Sequence, residues 1–273
     1  MSGLLDLPRL EADVEAHLAE LGQVFTKIAG HDSGNTSWGI QSDEERWFVK
    51  HAPHAEGVVW LCSAQRFHSA VKHPAIVPLQ RLIPVEGGGM AALYPWADGE
   101  ILNDPFVPGA LRREEADSAY RRFRALPLND VLDALDAIFD AHLAVTAGGF
   151  VAVGFYDGCV IYDFGTGAVS LVDLDLYWPG PYVLDTERQL GSKRFMAPEE
   201  FRYGTAIDER TTVFTLGRSA FVFLSDDMEG DPEPAKWRAG PDLLGVAERA
   251  TRLDAGDRFA TVADFVAAWR SAR

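Results

Sequence analysis

Lys50 closes the apolar run Trp47-Phe48-Val49, and Asp173 and Asp175 close a second one, Leu171-Val172, with a single residue between them. Alternate residues of a strand point the same way, so a paired carboxylate site at 173 and 175 is geometrically easy. Asp175 reads equally well as a solvated loop residue, and Lys50 as a strand-end cation with its head in water. Between two strand-like runs lies Ala29-Gly30-His31-Asp32-Ser33-Gly34-Asn35-Thr36-Ser37. A Gly/Ser/Asn bend turns backbone N–H groups inward, which suits phosphate oxygens, although hairpins also use Gly and Asn for turning alone. Other reactive types carry less. His31, His51 and His54 fall at no metal spacing on one element and read as surface residues. Cys62 and Cys159 are too few for a disulfide framework or a zinc site, and Cys159, with no base paired to it, reads as a small buried residue.

The elements that must position these groups follow from periodicity. Val14, Leu18 and Leu21 predict an amphipathic helix over 10–21. Strands are expected at 24–28, 37–40 and 46–50, the last two joined across 42–45, then a helix over 55–71 and a strand over 90–94. Pro95 to Glu100 carries turn chemistry, and the boundary between two parts, 1–96 and 97–273, falls there. The second part reads as mostly helical. Residues 112–126 predict a charged surface helix. Val131, Leu135, Ile138, Phe139 and Leu143 form a broad apolar stripe, ended by Gly148-Gly149. Short strands are expected at 150–153, 160–162 and 169–172. Asp208-Glu209-Arg210 precedes an apolar helix from Thr211 to about Leu224, and another helix follows Thr261 as its N-cap.

Composition bounds the function. The chain has 273 residues, 47% hydrophobic and 24% charged, enough for one large domain or two packed parts. No apolar run approaches the ~18 residues that cross a bilayer. Met1-Ser2-Gly3-Leu4-Leu5-Asp6 lacks the basic-then-apolar order of a secretory signal, so a cytoplasmic location with no membrane partner is expected. The net charge of −16 argues against a general nucleic-acid binder, which needs a basic surface. It permits a cationic substrate, and solubility alone accounts for it equally. The densest acidic run is Asp226, Asp227, Glu229, Asp231 and Glu233, read either as a site for a cationic substrate or as a solvated loop.

Five stretches carry a resemblance. Val172-Asp173-Leu174-Asp175 is followed by Arg194-Phe195-Met196-Ala197-Pro198-Glu199-Glu200. Upstream lies Lys72-His73-Pro74-Ala75-Ile76-Val77-Pro78-Leu79. Downstream, Asp208-Glu209-Arg210 leads into Val213-Phe214-Thr215-Leu216-Gly217, and Asp254 into Arg258-Phe259, Val262 and Phe265. In this order they resemble the eukaryotic-type protein kinases, from about Gly30 to the C-terminus. The resemblance implies an α+β, bilobal fold, with a small N-terminal antiparallel sheet plus helix and a larger, mainly helical C-lobe. It implies ATP and Mg2+ as cofactors. Lys50 would pair with the nucleotide phosphates, Gly34 and Asn35 would form the phosphate loop, and Trp96 and Ala97 would lie at the hinge. Asp173 would bind the metal, with Asp175 as a second carboxylate. Glu199 and Arg258 would form a buried pair anchoring the segment after the metal loop.

The chain departs from that family where phosphoryl transfer is run. Ala152-Val153-Gly154 stands where the family has His-Arg-Asp, and Cys159 where it has a metal-binding Asn. Tyr156 replaces the loop lysine, and Thr212 an aspartate that braces the loop. Counting back from Pro74 puts Ala64 and Gln65 where a helix glutamate should meet Lys50, and Glu56 lies two turns earlier. Asp157 is the nearest carboxylate that could act as catalytic base, and it reads also as the turn residue of Tyr156-Asp157-Gly158. Three functions follow as expectations. One is a Ser/Thr protein kinase-like phosphotransferase with an atypical catalytic loop. The others are a pseudokinase that binds nucleotide or a partner without turnover, and a kinase of a cationic small molecule. The acceptor is then a protein or a small molecule.

Overall fold

Residues 23–28, 36–42 and 45–52 pair as an antiparallel meander, the last two joined by the two-residue turn Asp43-Glu44. In the computed structural model, which describes residues 3–30, 34–103, 106–225 and 234–273, helix α1 (Val14–Leu21) leads into β1 (Gln23–Ile28), β2 (Thr36–Ser42) and β3 (Glu45–Ala52). Helix α2 (Ala55–Ala70) follows, then β4 (Arg81–Pro84) and β5 (Met90–Pro95). The five strands form one sheet in the order β1-β2-β3-β5-β4, antiparallel throughout. His31 lies outside the described residues, as does the acidic run 226–233.

Each face of this sheet is covered by its own partner. Trp38, Ile40, Trp47, Val49 and Leu93 pack against Leu4, Leu7, Leu10, Val14 and Leu18. The two-residue alternation sends Phe48, Lys50 and Ala52 to the opposite face, where Leu61 of α2 packs with Ala52, Ala92 and Tyr94. The helix expected from residue 10 starts only at Val14, because Asp13 caps it through Oδ1, which accepts the Ala16 N–H at 3.0 Å. Leu10 instead donates its N–H to Pro84 O at 2.9 Å. Strand β4 has no clear alternation and ends in a proline that only an edge strand tolerates, so periodicity does not reveal it.

The rest of the chain comprises β6 (Glu100–Ile101), α3 (Ala119–Ala125), α4 (Leu128–Ala147), β7 (Phe150–Val151), β8 (Val160–Tyr162) and β9 (Val169–Leu171). It continues through β10 (Trp178–Pro179), β11 (Tyr182–Val183), β12 (Ala206–Ile207), α5 (Glu209–Leu224), α6 (Pro241–Ala250) and α7 (Val262–Ala272). The protein is α+β. Helix α4 buries its stripe at the centre, with Phe139 edge-on to Phe265 and Trp269 at 5.0 and 5.1 Å. Helix α3 corrects the expected surface helix over 112–126. It begins after Ser118, whose Oγ accepts the Arg121 N–H, and it is not superficial, since Tyr120 and Phe123 are wholly buried. Ahead of it residues 112–117 form turns, with the Arg112 N–H donated to Glu115 Oε1 at 2.8 Å.

Packing is continuous between the sheet region and the helices. Phe67 of α2 meets Phe150 and Tyr177 edge-on at 5.4 and 5.2 Å, and Ile76 bridges to Leu171. Among the described residues no helix is long and apolar enough to cross a membrane.

Candidate functional site

A cleft of about 480 Å³ separates the five-stranded sheet from the β6-β8-β9 sheet, within the size range of small-molecule sites. Its polar end is built by three side chains. Lys50 comes from β3, the middle strand of the order, and its Nζ lies 2.5 Å from Asp173 Oδ1 and 2.5 Å from Asp175 Oδ2. The carboxylates converge for a different reason from the strand alternation expected. Strand β9 stops at Leu171, and Asp173 takes a left-handed conformation with φ of 57°. That turn carries Asp175 back towards β3 and β5, where Tyr94 Oη donates to its Oδ1 at 3.4 Å.

The electrostatics follow from this burial. Desolvation alone would push the Lys50 ammonium down, but Asp173 and Asp175 outweigh it and raise its pKa, so Lys50 stays a cation. Burial pushes the Asp175 carboxyl up, against the opposing charge of Lys50, and also raises the Tyr94 hydroxyl. The side chains differ in access: Asp175 is 8% exposed and Asp173 50%. Helix α2 brings no carboxylate here. Ala64 is wholly buried, Gln65 and Glu56 are exposed, and His68 lines the cleft as a neutral ring, lowered to about 4 by burial and then by Lys72.

Away from these side chains the cleft has a mostly apolar lining, with Glu100 and Asp117 as charged members. Ala97 and Trp96 belong to its wall. The Trp96 N–H is already donated to Arg46 O at 2.9 Å, and its ring sits edge-on to Phe25 at 4.8 Å. Asn35 is buried in the wall, while Gly34, with φ of 69°, turns the chain beside the His54 ring. His54 is exposed. His51 is half-buried and stacked on Trp38, which corrects its reading as a surface residue.

The loop between β7 and β8 runs beside this centre, with Gly158 in the cleft wall and Cys159 Sγ 3.9 Å from Asp173 O, but its carboxylate is buried. Asp157 is wholly buried, with Oδ2 taking Arg194 Nη1 at 2.8 Å and Oδ1 taking Asn103 Nδ2 at 3.1 Å. Gly154 has φ of 78°, and a Cβ there would lie 2.6 Å from Leu176 Cδ1, so a side chain does not fit as the chain stands. Burial raises the Cys159 thiol well above its ordinary value, as befits an inert core residue. Thr212 still braces the loop: its Oγ1 accepts the Ala152 N–H at 2.9 Å.

Further along, Arg258 grips Glu199 with two parallel bonds, Nη1 to Oε1 at 2.7 Å and Nη2 to Oε2 at 2.8 Å. Sequence reasoning missed Tyr94, Asn103 and Arg194, whose roles arise from contacts between distant elements. It also missed Val107 to Leu111 along the cleft. Among the described residues, no group of three or more His, Cys, Asp or Glu is placed to hold a metal. The donors present suit Mg2+, which takes one or two carboxylates and completes its shell with phosphate and water. No family model matches the chain, and no curated protein matches it either.

Proposed function

We propose that the cleft binds ATP with Mg2+ on a bilobal, protein kinase-like fold, divided near residues 96–97, and that the chain is a Ser/Thr protein kinase-like phosphotransferase with an atypical catalytic loop. The observation carrying this reading is the meeting of Lys50, Asp173 and Asp175 in a cleft whose remaining lining is mostly apolar. Such a site matches a ligand with a flat apolar head and a multiply charged tail. Lys50 would neutralise phosphate oxygens, and Asp173 would hold the metal. Bound Mg2+ would supply charge neutralisation of the phosphates in a part-dry site. Asn35 would line the phosphate end, and Trp96 and Ala97 the base end, where the engaged Trp96 amide leaves the base contact to the residues around it.

One observation favours a second reading, a pseudokinase that holds nucleotide without turnover. Gly154 offers no side chain, and both Asp157 oxygens are engaged by Arg194 and Asn103. For transfer to proceed, Arg194 must release Asp157 so that it can orient an acceptor hydroxyl. Incubation of the pure protein with labelled ATP and Mg2+ decides between them. The phosphotransferase reading expects phosphate on the protein or an added acceptor, lowered about 10²–10⁴-fold in Asp157→Asn with nucleotide retained. Retained ATP with no transfer in either protein supports the pseudokinase, and no retention removes both.

A further inference from the structure

We propose that Asp175 is the positioning residue of Lys50, holding its ammonium in the cleft, and that Asp173 alone faces the cation. The proposal rests on the reading of the cleft as a nucleotide and metal site. The two carboxylates touch the same ammonium, yet their surroundings are unequal. Asp175 is 8% exposed, and each of its oxygens already has a protein donor, Lys50 Nζ on Oδ2 and Tyr94 Oη on Oδ1. Magnesium demands near-octahedral geometry and gives up water reluctantly. A buried carboxylate with both oxygens engaged is therefore a poor ligand for it. Asp173, in the left-handed turn, keeps half its side chain open to the cleft.

A buried ammonium also needs a partner that stays when the ligand changes, since an uncompensated buried charge is strongly destabilising. If Asp173 turns to a metal, Lys50 must be held by something else. Helix α2 has nothing to offer, because Ala64 is wholly buried and apolar while Gln65 and Glu56 are exposed. Asp175 is that partner. Both carboxylates arrive from one turn after β9, so the hold on Lys50 depends on that turn and not on where α2 lies.

The test compares wild type with Asp175→Asn and Asp173→Asn. In ligand-free protein labelled at lysine, 13Cε relaxation reports the order of the Lys50 side chain, with exposed Lys27, Lys72 and Lys193 as internal references. In the same proteins, ATP retention is followed as Mg2+ is raised. We expect Asp175→Asn to loosen Lys50 more than Asp173→Asn does, while changing the half-saturating Mg2+ less than about twofold. Asp173→Asn should raise that concentration roughly tenfold or more, because an amide oxygen replaces the anionic ligand that Mg2+ takes. Unchanged Lys50 order in Asp175→Asn, or an equal rise in required Mg2+ for both variants, overturns the proposal. Should wild type retain no ATP, the reading of the cleft falls and takes the metal half with it. The Lys50 order still decides the positioning half. If Asp175→Asn does not fold, Asp175→Ser removes the charge with a smaller side chain and is read the same way.

Discussion

Replacing Arg258 with alanine should destabilise the protein by about 3–5 kcal/mol, the cost of leaving one partner of a buried ion pair uncompensated. The magnitude follows from the bonds that the guanidinium makes. Arg258 is 0% exposed and Glu199 13%, and they share two short charge-assisted bonds. Each is worth roughly 1.5–3 kcal/mol, and because they are made together they do not add in full. Glu199 would keep the Thr211 hydroxyl at 2.9 Å. The carbonyls of Arg252, Arg210 and Leu253, which Arg258 also satisfies, would lose a donor. At about 2–4 °C per kcal/mol for large domains, the melting temperature should fall by roughly 6–20 °C. The pH dependence adds a second check. Burial acts to raise the Glu199 carboxyl, and Arg258 more than offsets it, holding the folded value below the ordinary 4.5. The pair's stabilisation is then fully present above about pH 4.5 and is lost as pH falls through the depressed folded value. Wild type and Arg258→Ala should converge on acidification when melted side by side from pH 7 to pH 3. Equal melting of the two at pH 7 would refute the anchoring of the 194–200 segment by this pair.

Other outcomes follow from single positions. Gly154→Ala should cost about 1–3 kcal/mol in urea unfolding, from the positive φ and the meeting with Leu176. A neutral result would mean that the loop relaxes freely. Gly154→Asp should likewise disturb the loop instead of simply restoring a carboxylate. Burial raises the Glu200 carboxyl to about 8, so the folded state keeps a proton that the unfolded chain loses above about 4.5, and stability falls as pH rises between these values. Glu200→Gln should remove that slope, with a gain on the order of 1–3 kcal/mol at pH 8 and little at pH 4. A gain independent of pH would contradict the assignment. Asp157→Asn should lower stability by about 3 kcal/mol, because it leaves the Arg194 guanidinium, 9% exposed, without its counter-charge. An unchanged urea midpoint would show that the pair is not formed in solution.

The α+β class and the strands around Lys50 were legible because alternation is a local signal: 46–50 was expected as strand, and Glu45–Ala52 forms it. Thr261 likewise announces α7, since a cap is written within four residues of the helix it starts. The charged stretch before Ser118 misled because its Arg, Glu and Ala have high helix propensity, whereas Glu115 takes the Arg112 N–H and Ser118 Oγ donates to Arg113 O, bonds that favour turns. The proximity of Asp173 and Asp175 to each other was legible, but not its cause, a left-handed turn at Asp173. Nothing in the sequence separates the buried carboxylate from the open one, because that depends on Tyr94 and Lys50 arriving from other strands. Asp157 is the same case: its partner Arg194 lies on the far side of β8, β9 and the following turn.

The central claim is that Lys50 and Asp173 form the polar end of an ATP–Mg2+ site. Titration of a non-hydrolysable ATP analogue with Mg2+ into wild type, Lys50→Ala and Asp173→Ala tests it most directly, with folding of each protein checked by its melting curve. The loss of a part-buried cation that neutralises phosphate charge should cost about 2–4 kcal/mol, a weakening of about 30-fold or more. Asp173→Ala should weaken binding only when Mg2+ is present. Equal affinity in all three proteins, or no binding by the wild type, would contradict the account.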